Sequence, residues 1–155
     1  MQALMICAAV AAMVVSVVDG DTLNVDRGAG KERVILYGID CPELDQPGGS
    51  EARKLTDERC WKKKVQLEQK GTDKRGRVIA TVVLPDGTNL NEELVRRGLA
   101  WWSDKYAPKD EKLKGLQAAA QMAKLGLWGA PNPVPPWIWR NGQKDVNAKI
   151  MPSAE

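Results

Sequence analysis

The sequence predicts an α+β, mainly β domain: a five-stranded barrel of short strands with about three helices. Three observations carry that expectation. Five short segments rich in β-branched and apolar residues are separated by turn signals. A helical segment falls between the third and fourth of them. A chain of 155 residues with 43% apolar composition makes one domain the default, large enough to bury a core.

The first strand is read at Met13 to Val18, Asp19-Gly20 is a hairpin turn signal, and Thr22 to Val25 alternates as a second strand. A turn at Arg27-Gly28-Ala29-Gly30 leads into a third strand, Glu32 to Ile39, which stops at Asp40-Cys41-Pro42. Pro47-Gly48-Gly49-Ser50 is a loop whose Ser50 is expected to cap a helix from Glu51 to about Cys60. Lys64 to Gln69 and Arg77 to Leu84 are the fourth and fifth strands, joined by the charged turn Gly71 to Gly76. Asn89 or Asn91 caps a short helix through Arg97 that Gly98 stops. Asp110 to Leu125 then carries Leu113, Leu116, Ala120 and Ala123 at helical spacing, with Gly126 as its end signal. Pro131 to Pro136 cannot continue a helix. The order is three strands, a helix, two strands and two helices, and five short strands with a helix between the third and fourth is the arrangement of the OB-fold, a small Greek-key barrel used for oligonucleotide binding.

At the termini the reading divides. Residues 1–12 are expected either as a signal peptide, with Ala8-Ala9-Val10-Ala11-Ala12 as the small-residue cleavage region, or as the start of the first strand. Residues 13–140 form the expected domain, and residues 141–155 a polar tail with little to bury, expected to be disordered. The apolar run Ala3 to Val18 is shorter than the roughly 20 residues a membrane-spanning helix needs, so no stable membrane insertion is expected.

Composition narrows the chemistry. Histidine is absent, which excludes His-based zinc sites, Ser-His-Asp triads and a histidine general base. Carboxylates, Lys, Arg, Tyr or Cys must act instead. Cys7, Cys41 and Cys60 lack metal-type spacing, and both a Cys41–Cys60 disulfide and inert thiols stay open. A disulfide would point to an oxidising compartment. The net charge of +3 suits a polyanionic partner without demonstrating one.

Asp19 and Asp21 share a side where the first hairpin turns, and Asp40 and Glu43 lie just beyond the third strand. In a meander those two places are neighbours. Singly, Asp-Gly-Asp-Thr is an ordinary hairpin turn and Asp-Cys-Pro-Glu an ordinary strand exit. Together they make a cluster of converging carboxylates, which repel unless a cation sits among them, and hard oxygens suit calcium or magnesium.

Four segments carry a resemblance: Val18-Asp19-Gly20-Asp21-Thr22, Leu36-Tyr37-Gly38-Ile39-Asp40-Cys41-Pro42-Glu43, Asp73-Lys74-Arg75-Gly76-Arg77 and Asn91-Glu92-Glu93-Leu94-Val95-Arg96-Arg97-Gly98-Leu99-Ala100. In that order they resemble the motifs of the staphylococcal nuclease (thermonuclease) family, over a span from about Val14 to Trp128. The resemblance implies a calcium-dependent endonuclease that hydrolyses phosphodiester bonds of DNA and/or RNA with little sequence specificity, expelling the 5′ oxygen and leaving a 3′-phosphate. It implies that Asp21, Asp40 and the backbone carbonyl of Cys41 bind calcium (Ca2+), with Asp19 in the outer shell. It further implies Glu43 as the group that positions or deprotonates the attacking water, and Arg77 as the guanidinium on the scissile phosphate. Lys74 matches a phosphate contact and Tyr106 a tyrosine that packs near the nucleotide.

One position departs from the family pattern. Five residues before Asp40, where the family has a second phosphate-clamping arginine, stands Ile35. Arg33 is the candidate substitute, on the same strand face but about 6–7 Å further along. Losing such a clamp costs on the order of 10³ to 10⁵ in rate. Ile35 therefore motivates an alternative of a different class, a catalytically disabled OB module that binds nucleic acid or a nucleotide. A third reading, a structural domain that recruits proteins, rests only on Pro133 to Trp139, a segment expected to pack down on the domain. Trp101 and Trp102 are read as core rather than base-stacking residues, and Lys62-Lys63-Lys64 as a solvated turn. A monomer is the default at this size, and a secreted or periplasmic location is expected, with cytoplasmic as the alternative.

Overall fold

Each strand of the barrel turns alternate side chains inward, and those side chains make the core. A computed structural model describes residues 8–144. Strand β1 spans Val10–Asp19, β2 Thr22–Asp26, β3 Lys31–Leu36, β4 Ile39–Asp40, β5 Lys64–Thr72, β6 Val78–Val83 and β7 Trp101–Trp102. The helices are α1 (Gly49–Cys60), α2 (Leu90–Arg96), α3 (Glu111–Met122) and α4 (Pro136–Arg140), with a 3-10 turn at Gly126–Gly129. Leu23 and Val25 of β2, Val34 and Leu36 of β3, Val65 and Leu67 of β5, and Val78, Ala80 and Val82 of β6 are buried together. In β1 the inward set is Ala12, Val14 and then Val17, a change of phase produced by a register shift between Val14 and Ser16.

The strands close in the order β1-β2-β3-β6-β5, and β5 returns to β1 through Val10↔Leu67, Ala11↔Gln66, Ala12↔Val65 and Met13↔Lys64. All ladders are antiparallel except β3–β6, where Val34, Ile35 and Leu36 pair in parallel with Val78, Ile79 and Ala80. A parallel pair needs a crossover, and the chain between β3 and β6 supplies it with α1 and β5. Helix α1 buries Ala52, Leu55, Thr56 and Cys60 against the barrel. This is the expected five-stranded OB-type barrel.

Several boundaries differ from the sequence expectation, each for a local reason. The third strand leaves the barrel after Leu36. Gly38, at φ 76°, turns the chain where a Cβ would lie 2.8 Å from Leu113, and Ile39–Asp40 pairs with Trp101–Trp102 instead. Ser50 does not cap α1: the helix starts after Gly48, a left-handed residue at φ 89°, and the Ser50 hydroxyl donates to its neighbour Glu51. Asn89 is the cap of α2, accepting from the Glu92 N–H, and Asp110 caps α3 through the Leu113 N–H. The prolines that break the preceding chain also begin a helix, since Pro136 occupies the first turn of α4. Cys7 and the terminal residues 1–7 and 145–155 lie outside the described residues. Among the described residues no helix is long and apolar enough to cross a membrane.

Asn91 is not a cap but an internal tie. It is 2% exposed, accepts from the Val82 N–H at 3.0 Å, and donates to the carbonyls of Tyr37 (2.9 Å) and Ala80 (3.3 Å). It thus fastens α2 to β6 and to the turn that ends β3. Cys41 and Cys60 are both buried free thiols, and the Cys60 thiol donates to the Thr56 carbonyl at 2.8 Å. Burial pushes the Cys60 thiol up to about 12.

Removing the Asn91 amide strands the Val82 N–H inside the protein, so Asn91→Ala is expected to cost about 2–3 kcal/mol, read from the urea midpoint at unchanged m-value. The folded chain also keeps the Cys60 proton where the unfolded chain, ionising at the ordinary value of 9.0, has released it. Stability contributed by that thiol is therefore present below that pH and falls as pH climbs toward 12, by about 1.4 kcal/mol per unit within the window. Urea titrations across it should show a shallower decline in Cys60→Ala.

Candidate active site at the barrel mouth

The turn between β1 and β2 is pressed against α1, and glycine makes that approach possible. A Cβ on Gly20 would stand 2.7 Å from the Cβ of Ala52 and 2.8 Å from the Sγ of Cys41, while the Gly20 carbonyl accepts from the Thr56 hydroxyl at 2.7 Å. The flanking aspartates are thereby carried to the segment that follows β4. Asp19 accepts from the Asp21 N–H at 3.1 Å. Asp21 accepts from the Cys41 N–H at 2.6 Å and from the Thr22 hydroxyl at 3.1 Å, and its own carbonyl takes the Leu36 N–H at 2.9 Å. Part of the Asp21 residue reaches the surface, but its carboxylate is packed round by protein atoms. That desolvation, reinforced by the charges of Asp19 and Asp40 and opposed by the Cys41 N–H, holds its pKa well above the ordinary range. The same burial, with the surrounding acids, pushes the Cys41 thiol up, so it is a poor nucleophile.

Glu43 is set by its backbone. Its N–H donates to the buried side chain of Gln46 at 3.1 Å, its carbonyl accepts the Gln46 N–H at 2.9 Å, and the first residue of α1 abuts it so closely that a Cβ on Gly49 would sit 1.9 Å from that carbonyl oxygen. At the start of β6, Asp73 accepts the N–H groups of Arg75 and Arg77, both at 2.9 Å, and takes the Arg77 Nε–H at 2.6 Å. The turn therefore orients Arg77 while leaving its Nη groups unengaged by any described residue.

These groups line one groove of about 690 Å³. Asp19, Asp21, Asp40, Glu43 and Arg77 all face it, as do Ile35 and Tyr106, the last 69% exposed. Three expected residues, Cys41 among them, are not in its lining. Arg33 is turned onto the Asn24 side chain at 3.3 Å, across the β2–β3 ladder, and Lys74 sits exposed in the Asp73 turn. Trp101 packs edge-on against Trp128 and Trp137, with centroids at 4.5 and 5.5 Å, and the Trp102 indole donates to the Ala107 carbonyl; neither lines the groove. Of the lysine run, Lys62 lies over Trp61 and Lys63 donates to the Glu58 carbonyl.

The sequence reading missed Tyr37, Lys70, Arg75 and, most consequentially, Arg140, all of which line the groove. Nη1 of Arg140 donates to Asp40 at 3.0 Å and to Glu43 at 2.8 Å, and Nη2 donates to the second Asp40 oxygen at 2.7 Å. These bonds, the Asp40 pair first, raise its pKa further and keep it charged. The only signal in the sequence was the proline-tryptophan segment that delivers it. Among the described residues no group of three acidic or thiol side chains is arranged as a ready metal site, and Arg140 bonds to Asp40 and Glu43. The donor set nevertheless suits a hard dication: a desolvated carboxylate at Asp21 with Asp19 and Asp40 beside it is an arrangement that an added positive charge relieves.

A family model described as staphylococcal nuclease homologue matches residues 33–130. Among curated proteins, an uncharacterized endonuclease of Escherichia coli is 38% identical over 136 residues, 88% of each chain. A micrococcal nuclease of Shigella flexneri is 35% identical over 142 residues, 86% of this chain and 82% of its own. The staphylococcal-like nuclease CAN1 of Arabidopsis thaliana is 34% identical over 128 residues, 80% of this chain and 38% of its own.

Two glycine substitutions separate crowding at this site from ordinary helix propensity. Gly49→Ala must displace the Glu43 carbonyl and is expected to cost about 1–3 kcal/mol, whereas a Cβ on Gly115 in α3 meets nothing within 4 Å. Gly115→Ala should therefore gain about 0.5–1 kcal/mol. Urea midpoints of the two variants measure both.

Proposed function

The chain belongs to the staphylococcal nuclease homologue family, and on that premise we propose that it is a calcium-dependent endonuclease cutting phosphodiester bonds of DNA or RNA with little sequence preference. The observation that carries this reading is the convergence of Asp19, Asp21, Asp40, Glu43 and Arg77 on one groove, although they come from three separate stretches of chain. Asp21, Asp40 and the Cys41 carbonyl would hold the calcium, with Asp19 behind them. Bound there, the ion supplies positive charge against a phosphoryl group as negative charge grows in an in-line displacement.

The chain's own groups do the rest. The Glu43 carboxylate accepts a proton from the attacking water and aims its oxygen at phosphorus, in a position held by Gln46 and Gly49. Arg77, fixed at Nε by Asp73, donates its Nη protons to phosphate oxygens and to the departing 5′ oxygen. Tyr106, exposed at the groove, offers a face on which a base can stack, and Lys74 a charge for a phosphate further along the strand.

A second reading is favoured by Ile35, which lines the groove where a second guanidinium is expected while Arg33 is turned to Asn24. On that reading the protein binds nucleic acid without cutting it. Cleavage of single-stranded DNA by wild type and by Glu43→Gln, each with calcium and with chelator, separates the two. The nuclease reading expects cutting that requires calcium and falls by about 10²–10⁴ in the variant. Equal inertness of both proteins, with oligonucleotide still bound, would establish the binding module instead.

A further inference from the structure

Resting on the nuclease reading, we propose that Arg140 is a catalytic residue: the second guanidinium of the phosphate clamp, delivered by helix α4 to the groove where Ile35 leaves the β3 position apolar. The two residues line the same groove, 105 positions apart in sequence. Arg140 lies within 3.0 Å of both Asp40 and Glu43, the carboxylates assigned to the metal and to the water. A phosphate reacting between those two groups lies within reach of the same guanidinium.

Its donor count fits the task. A guanidinium has five N–H groups in a planar fork. Three are used on Asp40 and Glu43, and among the described residues the remaining two, one on Nε and one on Nη2, have no acceptor. A phosphate oxygen is the acceptor that such a fork matches. Arg140 only donates hydrogen bonds; the proton of the attacking water still goes to Glu43, and the P–O5′ bond still breaks with Arg77 on the departing oxygen.

The segment carrying Arg140 is anchored rather than draped. The Gln46 side chain, which also holds the Glu43 N–H, donates to the Val134 carbonyl at 2.6 Å. The Trp139 indole donates to Asp45 at 3.1 Å, and Trp137 packs edge-on against Trp101. Pro135 and Pro136 fix the entry into the helix. The loop that sets Glu43 thus also sets Arg140, which is the preorganisation a charge clamp requires. The charges agree: the groove carries five carboxylates and only four cationic side chains, Arg140 among them, and a phosphodiester adds further negative charge.

The test combines Arg140→Gln, Ile35→Arg and the double variant. Cleavage is measured on single-stranded DNA. Affinity for a fluorescein-labelled oligonucleotide in calcium is measured by anisotropy in a Glu43→Gln background, and calcium affinity by calorimetry. Arg140→Gln should lower cleavage by about 10²–10³ and weaken the oligonucleotide by about tenfold without weakening calcium. Arg140→Lys should recover only part, because an ammonium lacks the fork. Ile35→Arg should restore at least tenfold in the Arg140→Gln protein and gain no more than about threefold in the wild type. The proposal is overturned if Arg140→Gln cuts as fast as wild type or faster while binding calcium more tightly, which would make Arg140 a plug over the metal site. It is also overturned, without relying on any Arg140 variant, if Ile35→Arg alone gains about 10³. Wild type that cuts while the variant matches it defeats this inference alone; wild type that neither cuts nor binds the oligonucleotide defeats the nuclease reading beneath it.

Discussion

Asp21 fastens three pieces of the protein at one carboxyl-bearing residue. Its carbonyl takes the Leu36 N–H at the end of β3, one carboxylate oxygen takes the Cys41 N–H beyond β4, and the other takes its neighbour's hydroxyl. The first hairpin, the strand that continues the barrel and the loop that leads to α1 therefore meet at a group that is desolvated and surrounded by other acids. Such a junction is electrostatically poor unless positive charge is brought to it. Much of the rest of the molecule can be understood as arranging that supply.

The barrel topology provides the geometry. Because β3 and β6 pair in parallel, Val78 at the start of β6 lies beside Val34 in the second half of β3, and Arg77 is delivered to the same groove as the acids. Helix α1 fits into the crossover only because glycine stands at two contacts, Gly20 against Ala52 and Cys41, and Gly49 against the Glu43 carbonyl. Side-chain volume at either place would push apart the segments that hold Asp21 and Glu43. Core packing and site geometry are thus the same constraint seen from two sides.

The C-terminal segment provides the remaining charge. Tryptophan packing is what brings it home: Trp137 stacks edge-on against Trp101, a residue whose strand pairs with Asp40. Arg140, three residues on from Trp137, bonds to both oxygens of Asp40. A clamp built on a short packed helix rather than a barrel strand leaves the β3 position open to an apolar residue, and Ile35 fills it beside Ile79 in the parallel ladder.

Local features, which depend on near neighbours along the chain, could be read directly from the residues. Alternation in Thr22–Val25, the strand at Lys64 to Gln69, a cap at Asn89 or Asn91, and the paired motifs around Asp21 and Asp40 were all legible, because strand period, cap chemistry and turn residues act over a few positions. The phase change in β1, the left-handed Gly48 that displaces Ser50 as the start of α1, and the departure of the chain from the barrel at Gly38 were not, since each is imposed by what packs against that backbone. The same holds for the internal tie at Asn91, which looked like a cap. Arg140 is the extreme case: nothing local distinguishes it from any arginine after a tryptophan. Only tertiary packing across about 100 residues places its guanidinium on Asp40 and Glu43, because a long-range contact is decided by the sum of many burials and not by the residues on either side of it.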